Sequence, residues 1–147
     1  MQRLFMETTK IPPEDTVAQI QKILGKYGAG KILTEYEKGE VSGLSFIVDV
    51  AGHSVPFTLP CRWKSIDDVL SRRIKKYHSG TEERITAQAK RVAWRQILRW
   101  VEAQMALVQT DMVKIQEVFL PYMRVNKGQT LYQQLEKDKF KMLEHKK

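Results

Sequence analysis

From Glu82 onward neither proline nor glycine interrupts the chain until Pro121. A breaker-free stretch of about forty residues predicts one helix much longer than the three to four turns usual in globular proteins. Thr110 and Asp111, both weak helix formers, mark where it would break. On a helical wheel, Ala93, Trp94, Ile97, Leu98, Trp100, Val101, Met105, Leu107, Val108, Met112, Ile115 and Phe119 fall in one half. That face is broad enough to pack on a sheet and another helix at once, or to join a helix from a second subunit. Trp94 belongs to the core on this reading. Trp100 sits nearer the rim and is a candidate partner surface.

The rest of the chain supplies what the long helix would pack on. "LFMETTKI" is expected to be a short strand, because Thr8, Thr9 and Ile11 favour extension. An amphipathic helix follows. Pro13 suits its first turn, Glu14 and Asp15 complement its positive end, and Gly28 ends it. Val17, Ile20, Leu24 and Tyr27 recur at helical spacing. Three alternating segments come next, with Ile32, Thr34 and Tyr36, then Leu44, Phe46, Val48 and Val50, then Val55, Phe57 and Leu59 on one face. They predict an antiparallel meander, with Pro56 at an edge or a bulge. After Pro60 a further helix is expected from an N-cap at Ser65 through Tyr77 to Gly80, with Ser79 and Glu82 capping the next. The expected fold is α+β: an N-terminal helix and a three- to four-stranded antiparallel meander packed on a long C-terminal helix. Residues 1–125 would form that domain, and 126–147 a short helix from about Thr130 with a frayed tail.

Charge is distributed unevenly. Net charge is +8, and residues 62–100 carry 11 basic against 4 acidic side chains. Such a field attracts polyanions, nucleic acid first among them. Within it Arg84, Gln88, Arg91, Arg95 and Arg99 form one helical stripe that stops at Glu102 and is expected to lie on the face opposite the apolar half, away from the core. Arginine suits bidentate contact with phosphate or carboxylate. Arg72, Arg73, Lys75 and Lys76 on the preceding helix, and Arg62 and Lys64 before it, would join the stripe if the two helices pack as a hairpin. The competing reading is a solvated face pairing with Glu82 and Glu83. Trp63, between Arg62 and Lys64, is a candidate to stack on an unpaired base; burial at the end of the third strand is its other role.

Catalytic patterns are not in evidence. "GKYGAG" lacks the flanking strand and the Gly-Lys-Ser/Thr ending of a phosphate-binding loop. His53, His78 and His145 show no metal-ligand spacing, so no metal or cofactor is expected. The single cysteine, Cys61, excludes an internal disulfide and fits a reducing cytoplasm. Arg62 beside it is the one feature that would lower its pKa, but no histidine partner can be assigned, and a half-buried inert thiol is the expected role. No apolar run suits a membrane span, and no secretion signal is expected. The order helix, three strands, helix is that of a metal-dependent nuclease core, with Asp49 matching an acid on the second strand. The third strand, "VPFTLPCRW", has no Glu-x-Lys. Without those groups the metal site cannot be built.

"TTKI" (Thr8 to Ile11), "FTLPCRW" (Phe57 to Trp63), "AWRQILRWVEAQMALVQ" (Ala93 to Gln109) and "EVFLPYM" (Glu117 to Met123) span most of the chain. Together they resemble a family of small basic proteins of bacteriophages and mobile elements. The resemblance implies a phage or prophage context and assigns no activity and no site residues. In element order alone the chain is also similar to phage single-strand annealing proteins, and element order does not decide function. The expected function is non-enzymatic binding of nucleic acid, DNA or RNA, through its backbone rather than its sequence. The alternative is an oligomeric interaction module, an adaptor or inhibitor of a host protein. Self-association is expected because the long apolar face exceeds what a small sheet covers.

Overall fold

The computed structural model describes residues 2–146. Helix α1 spans Pro13–Lys26 and strands β1, β2 and β3 span Ala29–Glu37, Glu40–Val50 and His53–Thr58. Helices α2 and α3 span Trp63–Arg72 and Thr81–Gln109. The short elements α4 (Ile115–Val118), β4 (Arg124–Asn126), β5 (Gln129–Thr130) and α5 (Leu131–Lys137) complete the chain. The fold is the expected α+β arrangement, with a three-stranded antiparallel sheet in the order β1-β2-β3. β4 and β5 form a separate hairpin, tied to the sheet by a bridge from Met123 to Phe57.

Two tight turns set the register. Lys38 and Gly39, then Ala51 and Gly52, take positive φ, as two-residue hairpin loops require. Leu33 therefore faces Ser45 and Ile32 faces Phe46, while Phe46 faces Phe57 across the second pair. Leu44, Phe46, Val48 and Phe57 are buried on one face. β3 is an edge strand, where Pro56 is tolerated.

Onto that face pack Val17, Ile20 and Leu24 of α1 and Trp94, Leu98, Val101 and Met105 of α3. Phe46 and Phe57 stack with ring centres 5.3 Å apart, and Phe119 meets Phe46 edge-on. The opposite face of the sheet has no covering layer: Leu33 is 62% exposed.

Helix α3 has 29 residues, so the expected single helix of about forty is too long: it stops at Thr110 and Asp111, and Ile115–Val118 form a separate turn of helix. Asp111 adopts a left-handed conformation, its N–H bonds to the Val108 carbonyl, and the Met112 N–H bonds to that of Leu107. This is a Schellman stop, which satisfies the last carbonyls and lets α4 turn back onto the core. The two halves of α3 bury nearly opposite sides. Ile85, Ala89 and Val92 of the first half lie under α2 and the N-terminal segment, while Trp94, Leu98, Val101 and Met105 face the sheet.

Three local expectations are corrected. The segment Leu4–Ile11 is a pair of linked turns and not a strand, because the Glu7 carboxylate folds back onto the Leu4 N–H at 2.8 Å and Met6 takes a positive φ. Helix α2 begins at Trp63 and ends at Arg72, short of Tyr77, which is exposed and bonds back to the Ser71 carbonyl. The N-cap of α3 is Gly80, at φ 84, and Ser79 and Glu82 form no capping box.

Candidate nucleic-acid interface

The α2–α3 pair is an antiparallel helical hairpin. Trp63 lies opposite Lys90, whose ammonium sits 4.8 Å from the indole ring centre, and Thr86 donates to the Asp67 carboxylate. The structure divides the ten expected cations into two sets.

Four are engaged within the chain. Arg95 is 4% exposed. Its Nη1 donates to Gln19 Oε1 at 2.6 Å and more weakly to Thr16 Oγ1, both on α1. This overturns the expectation that the arginine stripe faces away from the core. The core-facing arc of the second half of α3 is rotated toward the arginines by roughly a fifth of a turn relative to the apolar wheel. Ile97, Trp100 and Val108 are only half-buried, and Leu107 is exposed, so the apolar residues misplace its centre. Arg91 donates from Nε and Nη2 to Gln88 Oε1, and Gln88 Nε2 in turn donates to the carbonyls of Glu7 and Thr9. Arg73 pairs with Glu7 and donates to the Gln2 carbonyl. Arg99 pairs with Glu102 one turn on, at 2.7 Å. With Gln96 donating to the Phe5 carbonyl, these contacts strap the N-terminal segment across α3. The Leu4 N–H and the Arg73 guanidinium hold the Glu7 carboxyl below its usual value.

The other six, Arg62, Lys64, Arg72, Lys75, Lys76 and Arg84, are exposed. Among the described residues none of the six forms an ion pair. Neither Glu82 nor Glu83 pairs with any of them. The first five lie on α2 and the chain just before and after it, where Tyr77 is 52% exposed. Arg84 lies in the first turns of α3.

Two aromatic expectations change. Trp63 opens α2 instead of closing β3, is half-buried, and carries the Lys90 ammonium over its ring. Trp100 is half-buried, edge-on to Phe119 at 5.3 Å and to Tyr122 at 5.5 Å, so its ring is used within the chain. Burial pushes the Cys61 thiol up to about 12, so Arg62 does not activate it. Among the described residues no cluster of His, Cys, Asp or Glu is placed to hold a metal ion, and no helix is long and apolar enough to cross a membrane.

Sequence reasoning missed the N-terminal strap and Arg124. Gln88 and Gln96 carried the only signal for the strap, two amides set among arginines on an otherwise charged face. Comparison with protein-family models, curated proteins and solved structures yields no match.

Proposed function

We propose that this protein is a non-enzymatic binder of nucleic acid, of phage or mobile-element type and acting in the cytoplasm. It grips the backbone through α2 and the α2–α3 connection. The observation that carries this reading is the set Arg62, Lys64, Arg72, Lys75 and Lys76, exposed and, among the described residues, without ion pairs on one short segment. Cations left unpaired in a folded chain are free to displace counterions from a phosphate backbone, and that term is indifferent to base sequence. The exposed Tyr77 ring offers a stacking face in place of Trp63.

The test is a titration against single- and double-stranded DNA and RNA at two salt concentrations. It uses wild type and a variant carrying Lys64→Gln, Arg72→Gln, Lys75→Gln and Lys76→Gln. The variant is expected to bind every sequence more weakly and to flatten the salt slope by about one unit for each phosphate no longer neutralised. Equal affinity of the two proteins, or binding by neither, would leave these residues as solvated surface.

One observation favours the second reading, a protein-interaction module. The open face of the sheet forms a groove of about 880 Å³ with Leu33, Ile47, Pro56 and Val125 on its floor and Lys31, Arg124 and Lys127 along it. The sheet-facing side of α3, with Trp94, Leu98, Val101 and Met105, is covered within the chain, so the case for self-association rests chiefly on this groove. Light scattering at high micromolar concentration separates a dimer from a monomer.

A further inference from the structure

Between the β3–α2 linker and the β4–β5 hairpin lies a cavity of about 230 Å³ whose lining includes Thr58, Cys61, Arg62, Tyr122, Arg124 and Thr130. No carboxylate lines it. Arg124 donates from Nη1 to Thr58 Oγ1 at 3.1 Å, and its Nε is buried without a partner. Arg62, at the other side of the linker, is exposed and forms no ion pair among the described residues. Two guanidinium groups thus border one small space with no anion to balance them.

A buried donor without an acceptor, on a group that cannot lose its charge, is costly. Arg124 is half-buried, so water reaches part of its guanidinium and would also satisfy the Nε–H, but water brings no opposite charge to the two cations. An anion with several acceptor oxygens satisfies both, and the cavity is below the roughly 300–1,000 Å³ of sites for drug-sized ligands, so the group must be small. Tyr122 and Thr130 supply hydroxyls on the same lining, and the Cys61 thiol stays neutral beside them.

We propose that this cavity, between Arg62 and Arg124, is a binding site for a single phosphate group. The guanidinium fork of Arg124 takes two of its oxygens, and Arg62 closes over it from the linker. The site shares Arg62 with the nucleic-acid surface and does not rest on that reading: a free phosphate, a phosphorylated small molecule and the terminal phosphate of an oligonucleotide present the same chemistry.

The experiment follows backbone amide resonances of the full chain during titration with inorganic phosphate, at ionic strength held constant with chloride. Parallel titrations use the dinucleotide of thymidine with and without a 5′-phosphate. Saturable shifts of Thr58, Gly128 and Thr130 with phosphate and not with chloride are expected. Arg124→Gln should weaken the apparent affinity by at least about tenfold, the loss expected for even one of its two charge-assisted hydrogen bonds. Arg62→Gln, at an exposed position, gives a second reading if Arg124→Gln perturbs folding. Lys75→Gln with Lys76→Gln should leave the phosphate titration unchanged while weakening nucleic acid, which separates this site from the basic surface. A response to the 5′-phosphorylated dinucleotide alone assigns the site to nucleic-acid ends; a response to inorganic phosphate assigns it to the free group. No saturable shift in any titration, or equal titration of wild type and both arginine variants, overturns the proposal.

Discussion

Arg95 separates what packing contributes from what polar contact contributes on α3. Its guanidinium is buried, donates to the Gln19 amide and weakly to Thr16, and leaves Nε without a partner. Arg95→Met keeps an unbranched stem of similar length and removes the charge. The bond to Gln19 is lost, about 1.5–3 kcal/mol for a charged donor, but Gln19 is exposed and its carbonyl returns to water. Against that stands relief of one buried unpaired donor, about 1–3 kcal/mol. The two terms nearly cancel, so Arg95→Met should lie within about 1 kcal/mol of wild type, in line with buried ionic groups replaced by apolar ones. Arg95→Ala also removes two buried methylenes at about 0.8 kcal/mol each and leaves a cavity. It should therefore be less stable than Arg95→Met by about 2–4 kcal/mol. Urea unfolding of the three proteins, with unchanged m-values, reads both differences. If Arg95→Met is as unstable as Arg95→Ala, the polar contacts to α1 and not the stem hold the helices together, and the reasoning fails.

Trp94 is 1% exposed at the centre of the sheet-facing half of α3, so Trp94→Ala should cost about 3–5 kcal/mol; a thermal melt indistinguishable from wild type would place the ring outside the core. Glu7 titrates below its usual 4.5 in the folded chain, so its contribution to stability is complete above that value and lost as pH falls through the folded pKa. Glu7→Gln should thus lower stability at pH 7, with the gap to wild type narrowing as pH falls below 4.5, and a gap that does not change with pH would deny the Glu7 charge a role in holding the strap.

What was legible in the chain was whatever depended on local period. Alternation at Leu44, Phe46 and Val48, with glycines at the turns, placed the meander, and the spacing Val17, Ile20 and Leu24 placed α1. The end of α3 was legible only as an alternative: the absence of breakers argued for a helix running to Pro121, and the weakness of Thr110 and Asp111 marked where it could stop short. The basic stripe was misread because a wheel averages a helix along its length. α3 meets α2 and the strap with its first half and the sheet with its second, on nearly opposite sides, and no single arc describes both. The strap itself is held by side-chain amides and arginines to backbone carbonyls, and such bonds leave no periodic trace. Arg124 stood alone in a weakly basic stretch, and only the return of the β4–β5 hairpin to β3 brings it near Arg62.

The arginines themselves explain how the charge count overstates the binding surface. A planar fork that suits phosphate suits amide, carboxylate and backbone oxygens equally well. Arg73, Arg91, Arg95 and Arg99 each use it inside the chain. The lysines of the same region, point charges on flexible stems, mostly stay outside: Lys64, Lys75 and Lys76 are exposed, and Lys90 alone pairs, with Glu40. The segment of highest charge is thus a mixture, in which arginines fasten the N-terminal strap and α1 to α3 while lysines and the remaining arginines project into solvent. On the proposed function, the salt dependence of nucleic-acid binding would carry the signature of that division. Ten neutralised phosphates on duplex DNA give a logarithmic slope near about −9, whereas five or six give about −4.5 to −5.4. A slope of the smaller size fits a surface made of the free cations alone. A slope near the larger one means that further cations join, either lysines outside this segment or the internal forks, and Arg91→Gln with Arg99→Gln separates the two: the slope flattens only if the forks open on binding.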